Sequence, residues 1–242
     1  MSGSKWNWVK SKAAREVFRL RGGGRYQHQT YHPALQKALA GERERSDIYD
    51  HLGQIFALAV EAGPGLMVEL GTRGGESTRA LLAAVSVNQS TLLSVDIEDC
   101  RQEGLAFAEH WRFICSDDVG FGLNGFTKWC QQQGQPDKAK LIFIDTSHEY
   151  EHTKQEIAAW VPHLNERGIL LFHDTNMGKG KFARMDGSIS TGWDNQRGVI
   201  RAIEEYLGRQ YDENSFFTDI AKDFLVIHYP HCNGLTVLKR LS

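Results

Sequence analysis

No apolar run in this 242-residue chain approaches the roughly 18 residues that a membrane helix needs, so stable membrane insertion is not expected. A secretory signal is not expected either, because Lys10, Lys12, Arg15 and Arg19 interrupt the stretch where its apolar core would lie. Cysteine is sparse: Cys100, Cys115, Cys130 and Cys232 are too widely spread for a zinc knuckle or a redox pair. Free thiols in a reducing, cytoplasmic compartment are the expectation. A net charge of -2 gives no electrostatic case for nucleic acid as a partner. Neither an internal repeat nor a low-complexity tract is present.

What remains is the composition of a soluble globular enzyme, with 41% apolar and 24% charged residues. One stretch departs from it. Lys5, Lys10, Lys12, Arg15, Arg19, Arg21 and Arg25 face a single acid, Glu16. Trp6, Val9, Ala13, Val17 and Leu20 recur among them at helical steps, which predicts a basic amphipathic helix. Such a helix suits packing on its own domain or on a second copy, or an anionic surface. Arg21-Gly22-Gly23-Gly24-Arg25 breaks it. Residues 1–45 are therefore expected to form a basic helical arm, a candidate for homo-oligomer contacts, and residues 46–242 the main domain.

Within that domain Ser46 is a candidate cap for a helix running to about Gly63-Pro64. Short apolar runs then follow at Leu66 to Leu70, Thr91 to Val95, Trp111 to Cys115, Lys140 to Ile144 and Gly168 to Phe172. They are apolar at both parities, as strands buried on both faces should be. Helical stretches separate them: Ser77 to Val87, Arg101 to His110, Phe121 to Gln133 and His152 to Leu164. This alternation predicts a Rossmann-like α/β fold, a doubly wound and mostly parallel sheet with helices on both faces. After a helix over Val199 to Leu207, the runs Phe216 to Ile220, Phe224 to His228 and Gly234 to Leu241 have no helix-length spacers. They should pair antiparallel and close the sheet with a C-terminal hairpin.

The most informative segment is Val68-Glu69-Leu70-Gly71-Thr72-Arg73-Gly74-Gly75-Glu76-Ser77-Thr78, a strand that ends in an acid and a glycine turn leading into a helix. Ligands of open α/β sheets lie beyond such strand ends. The spacing is not the G-x-G-x-x-G of a dinucleotide site, and Glu69 would repel a pyrophosphate. The same carboxylate attracts an ammonium, which S-adenosyl-L-methionine carries and NAD does not. Glu69, Gly71, Thr72, Gly75 and Ser77 are thus candidate cofactor residues. Asp96 ends the second strand, where it suits both ribose hydroxyls. Asp117 follows the third, within reach of an adenine amino group.

Glu69 to Ser77 resembles motif I of class I S-adenosylmethionine-dependent methyltransferases. Asp145-Thr146-Ser147-His148 and Leu171-Phe172-His173-Asp174 resemble the cephalosporin hydroxylase-like methyltransferases and the macrolide sugar O-methyltransferases. The resemblance spans about Leu66 to Thr175. It implies methyl transfer to a hydroxyl of a small molecule or sugar unit. It also implies a divalent metal, Mg²⁺ or Mn²⁺, at Asp145 and Asp174 and a general base at His148. A bound cation there would hold substrate oxygens and lower the pKa of the one to be methylated. His173 stands where the similar sugar enzymes have a third carboxylate, and imidazole suits Zn²⁺ or Fe²⁺ better than Mg²⁺. It is carried as a metal ligand beside the alternatives of a supporting group or a satisfied buried histidine. His152 reads as packing or surface, and the Asn176 to Gln196 segment with Trp193 as a mobile loop over the acceptor site. The alternative function is an accessory protein that binds the cofactor and serves a partner enzyme.

Overall fold

The computed structural model describes residues 32–40, 46–178 and 180–241. The basic helix expected between Lys5 and Arg25 lies outside the described residues. Among the described residues ten strands run β1 (Leu66–Leu70), β2 (Thr91–Asp96), β3 (Trp111–Cys115), β4 (Ala139–Ile144), β5 (Leu164–His173), β6 (Lys181–Ala183), β7 (Ile189–Thr191), β8 (Phe217–Ala221), β9 (Phe224–Tyr229) and β10 (Leu235–Arg240). Eight of them form one sheet in the order β3-β2-β1-β4-β5-β10-β9-β8. β1 to β5 are mutually parallel, and β10, β9 and β8 pair antiparallel beyond β5. The expected Rossmann-like layout is what the chain adopts, its terminal hairpin extended to three strands.

The pleat explains the core. Leu66, Val68 and Leu70 of β1 join Ile142 and Ile144 of β4 in one buried cluster, which Phe126, Trp160 and Ile203 cover. Met67, Leu141 and Phe143 point the other way, onto Leu35, Ile55 and Leu81. Leu35 lies on the short helix Pro33–Ala38, so the packed unit reaches back past Ser46 into the stretch expected as an arm. Ser46 does not cap a helix through its hydroxyl, which is buried without a partner; its carbonyl accepts from Tyr49.

Two expected helices differ. Arg101 to His110 is mostly irregular, with only a 3₁₀ turn at Ala108–His110, because Gly104 and Phe107 both adopt positive φ, which a right-handed helix excludes. Phe121 to Gln133 is split into Asp118–Asn124 and Phe126–Gln133 at Gly125, where a Cβ would stand 2.6 Å from the Phe121 ring. The segment after Asp174 is also more ordered than a bare loop. β6 and β7 form a hairpin there, and Arg184 Nη1 donates to the Ser46 carbonyl at 2.8 Å, tying it to the domain.

Among the described residues no helix is long and apolar enough to cross a membrane.

Candidate functional site

Strand order reverses between β1 and β4, and the carboxyl ends of the strands there open onto a crevice of about 390 Å³. Gly71, Asp96, Asp117 and Asp145 border it, with Ile97, 75% exposed, at its mouth. Gly71 has φ +84°, and a Cβ there would lie 2.0 Å from the Asp145 carbonyl oxygen, so only glycine lets β1 and β4 turn so close together.

Asp96 is fixed by the backbone. The amides of Thr72 and Arg73 donate to its Oδ2 at 2.7 and 3.2 Å, and that of Glu98 to Oδ1 at 2.9 Å. Burial pushes this carboxyl up, but those amide donors outweigh it and hold it below the usual carboxylate range. It is a half-buried, ionised acceptor facing the crevice. Asp117 borders the crevice too, although its Oδ2 accepts from the Gly120 amide at 2.6 Å as a helix cap.

Glu69 does not reach the crevice, which corrects the expected ammonium contact. The period-two pleat sends it to the Met67 face, under the first turn of the Glu76–Asn88 helix. There Ser77 Oγ donates at 2.7 Å, Thr78 Oγ1 at 2.9 Å and Ser94 Oγ at 2.5 Å, leaving the carboxyl fully buried. Burial raises its pKa to about 7 against the opposing pull of the three hydroxyls. Ser77 is likewise spent on Glu69 and lies in the wall. Thr72 and Gly75 shape the turn through their backbones, with Gly75 at φ +77° opening the helix.

At the ends of β4 and β5 a second group assembles. The register sets Ile144 beside Phe172, which brings Asp145, His173 and Asp174 together, and the next turn adds His148. His148 Nε2 stands 3.1 Å from both Asp145 Oδ1 and Asp174 Oδ2. Its Nδ1 is buried without a partner. Burial lowers the His148 pKa, but Asp145 and Asp174 outweigh it and raise the value overall. Burial would raise Asp145, yet His173 and His148 hold it far below the usual range. His148 and Asp174 both adopt left-handed backbone, at φ +61° and +56°, conformations that cluster at functional sites.

His173 lies behind this pair. Its Nδ1 is 3.3 Å from Asp145 Oδ1 and from Asp174 Oδ1, while Nε2 is 3.0 Å from the Cys232 carbonyl. Burial opposes its charge, but the two carboxylates hold it well above an ordinary imidazole. His173 thus turns Nδ1 to both aspartates and anchors Nε2 on a carbonyl. Asp145, His148 and Asp174 offer donor atoms within 4.8 Å of one another, a candidate metal set beside the expected Asp145, His173 and Asp174.

Two neighbours were not legible beforehand. Asn195 Nδ2 donates to the Asp174 carbonyl at 3.1 Å. Gly198 admits the His148 carbonyl, which a Cβ would meet at 2.4 Å. Trp193, expected over the acceptor site, is 51% exposed and sets its ring 5.6 Å from that of His148.

Residues 68–175 match a family model described as a methyltransferase domain. No curated protein sequence matches the chain. Among solved structures, the O-methyltransferase TomG of Streptomyces achromogenes, involved in tomaymycin synthesis and determined with S-adenosylmethionine, aligns with TM-score 0.57 at 14% identity, covering 90% of this chain and 94% of its own. A methyltransferase of Podospora anserina, bound to S-adenosylhomocysteine, aligns at 0.53 and 12% identity over 100% of this chain and 98% of its own. MycE from the mycinamycin pathway, in complex with Mg, S-adenosylhomocysteine and mycinamycin VI, aligns at 0.52 and 15% identity. The match covers 86% of this chain but 55% of MycE. At such identities the likeness is one of fold.

Proposed function

With the chain taken as an S-adenosylmethionine-dependent methyltransferase of class I fold, we propose that it methylates a hydroxyl oxygen of a small molecule or sugar unit, with His148 as general base. The observation that carries this reading is the state of the His148 ring. Nε2 is clamped between two carboxylates, so the basic nitrogen is Nδ1, which is buried, unpartnered and beside the exposed Trp193. A buried ring nitrogen without a partner is costly unless a ligand supplies one, and an acceptor hydroxyl does so.

The crevice fits the donor. Asp96 presents an ionised carboxylate suited to two ribose hydroxyls, and Gly71 leaves room where any Cβ would clash. When bound, S-adenosylmethionine supplies a methyl group already activated by its sulfonium. The chain's work is then positional: the ends of β1, β2 and β4 hold the donor, and Trp193 offers a face for the acceptor ring. His148 Nδ1 takes the hydroxyl proton as the new C–O bond forms, and Asp145 and Asp174 balance the charge that the ring acquires.

The residues also fit a divalent cation. Asp145, Asp174 and His148 Nε2 would hold it, and it would lower the pKa of a bound acceptor oxygen. His173 would remain behind them. A His148 that ligates through Nε2 carries its proton on Nδ1, so metal ligation and the general-base role are alternatives for this ring, and with His148 as base the cation would be held by Asp145 and Asp174.

The test is transfer of a labelled methyl group from S-adenosylmethionine to a panel of sugars and phenols, with added Mg²⁺ or Mn²⁺ and with chelator. Transfer to a hydroxyl that His148→Gln abolishes supports the proposal. Product formed on nitrogen or carbon acceptors alone, or undiminished transfer by His148→Gln, refutes it.

A further inference from the structure

A second cluster lies beneath the crevice wall. His152 and Glu156 stand one turn apart on the same face of the Tyr150–Trp160 helix. Asp118, from the start of the neighbouring Asp118–Asn124 helix, meets them. His152 Nε2 is 3.2 Å from Asp118 Oδ1 and 3.7 Å from Glu156 Oε1. Glu156 is fully buried; Thr146 Oγ1 donates to its Oε1 at 2.6 Å, while its Oε2 has no hydrogen-bond partner. Asp118 Oδ2 is also buried without one. Two buried carboxylates with unsatisfied oxygens need a proton or a cation between them, since neither is stable as a bare charge.

We propose that Asp118, His152 and Glu156 bind a divalent transition-metal ion of the zinc class, at a site separate from the Asp145, His148 and Asp174 group. The spacing suits a cation as well as a shared proton. Donors about 2.0–2.1 Å from a tetrahedral ion sit roughly 3.3 Å apart, and the two contacts of His152 bracket that distance. All three side chains offer a donor atom within 4.8 Å of the others. An imidazole among carboxylates selects zinc over magnesium. Thr146 fixes one oxygen of Glu156, the outer-shell support that ordered ligands receive.

Access comes from the crevice, which Asp118 and His152 both border; the side chain of His152 is 28% exposed, and water would complete the coordination. The ion would clip the two helices together and place positive charge beside a crevice edged by Asp96, Glu98, Asp117 and Asp145. None of this depends on the acceptor or on His148, so methyl transfer and metal uptake here stand or fall separately.

The test uses the full chain, stripped with chelator and titrated with Co²⁺ as a spectroscopic stand-in for Zn²⁺. The Asp145→Asn, Asp174→Asn double variant silences the other cluster. It is expected to take up one Co²⁺ with the intense visible bands of a low-coordinate site, displaced by Zn²⁺. Adding His152→Ala should weaken uptake by more than the about 10–100-fold that loss of an outer-shell partner costs. No uptake by the double variant, or an unchanged cobalt spectrum after His152→Ala, overturns the site. If the double variant does not fold, wild-type crystals soaked in Zn²⁺ decide. An anomalous peak between His152 and Glu156 supports the proposal, and its absence with the pair ordered overturns it.

Discussion

The β1–β2 end of the crevice and the β4–β5 end are both rich in acids, but their acids are held by different partners. At the first end Asp96 is gripped by backbone amides and Glu69 by hydroxyls, groups that take up no proton near neutral pH. At the second, Asp145 and Asp174 are held by two imidazoles, groups that can. Amides fix a charge for binding, whereas imidazoles let a charge change during reaction. In the proposed mechanism the first end holds the donor and the second moves a proton.

That contrast is sharpened most by His148→Ala, which should lower kcat about 10²–10⁴-fold, the ordinary worth of a general base. The affinity for S-adenosylhomocysteine should stay within about threefold. Single-turnover kinetics beside calorimetry separates the two, and a parallel loss of donor binding would erase the distinction between the ends. Because the two aspartates raise the pKa of His148, its basic form is reached above the ordinary imidazole range. The rate should therefore climb with pH beyond about 6.5, the free imidazole value.

Glu69 tests the other end through stability. Its folded-state value of about 7 lies above the ordinary 4.5, so the native state keeps a proton that the unfolded chain gives up first. The stability it contributes is complete below about 4.5 and is lost as pH rises to about 7, for a total on the order of 3 kcal/mol. Glu69→Gln should gain that much relative to wild type between pH 4.5 and 8, read by urea unfolding. A constant difference across this range would mean that the carboxyl is ionised throughout.

Trp193→Ala carries the smallest effect: about a three- to tenfold rise in the acceptor KM, as loss of one aromatic face costs, with kcat little changed. A fall in kcat with KM intact would assign the ring to positioning His148 instead.

Much of this was legible in the sequence, for identifiable reasons. β1, β2 and β4 and the second half of β5 are largely apolar at both parities and run into Gly71, Asp96, Asp145 and His173, so their positions and the groups at their ends could be read directly. Which way an end residue points could not. Glu69 and Asp96 look equivalent in sequence, yet the pleat buries the first under serine and threonine hydroxyls and leaves the second at the crevice. His152 reads as a packing or surface residue because its partner Asp118 comes from a different helix. Arg101 to His110 has a helical apolar spacing, but the positive φ of Phe107 leaves no mark in the sequence.

The central claim is that the methyl donor is gripped from the Asp96 side of the crevice while Glu69 serves only the wall. Calorimetric titration of S-adenosylhomocysteine into Asp96→Ala and Glu69→Gln tests it directly. Loss of a charged acceptor should weaken binding about 10–100-fold in Asp96→Ala, with Glu69→Gln within about threefold of wild type. The reverse ranking, or equal losses in both, would contradict it.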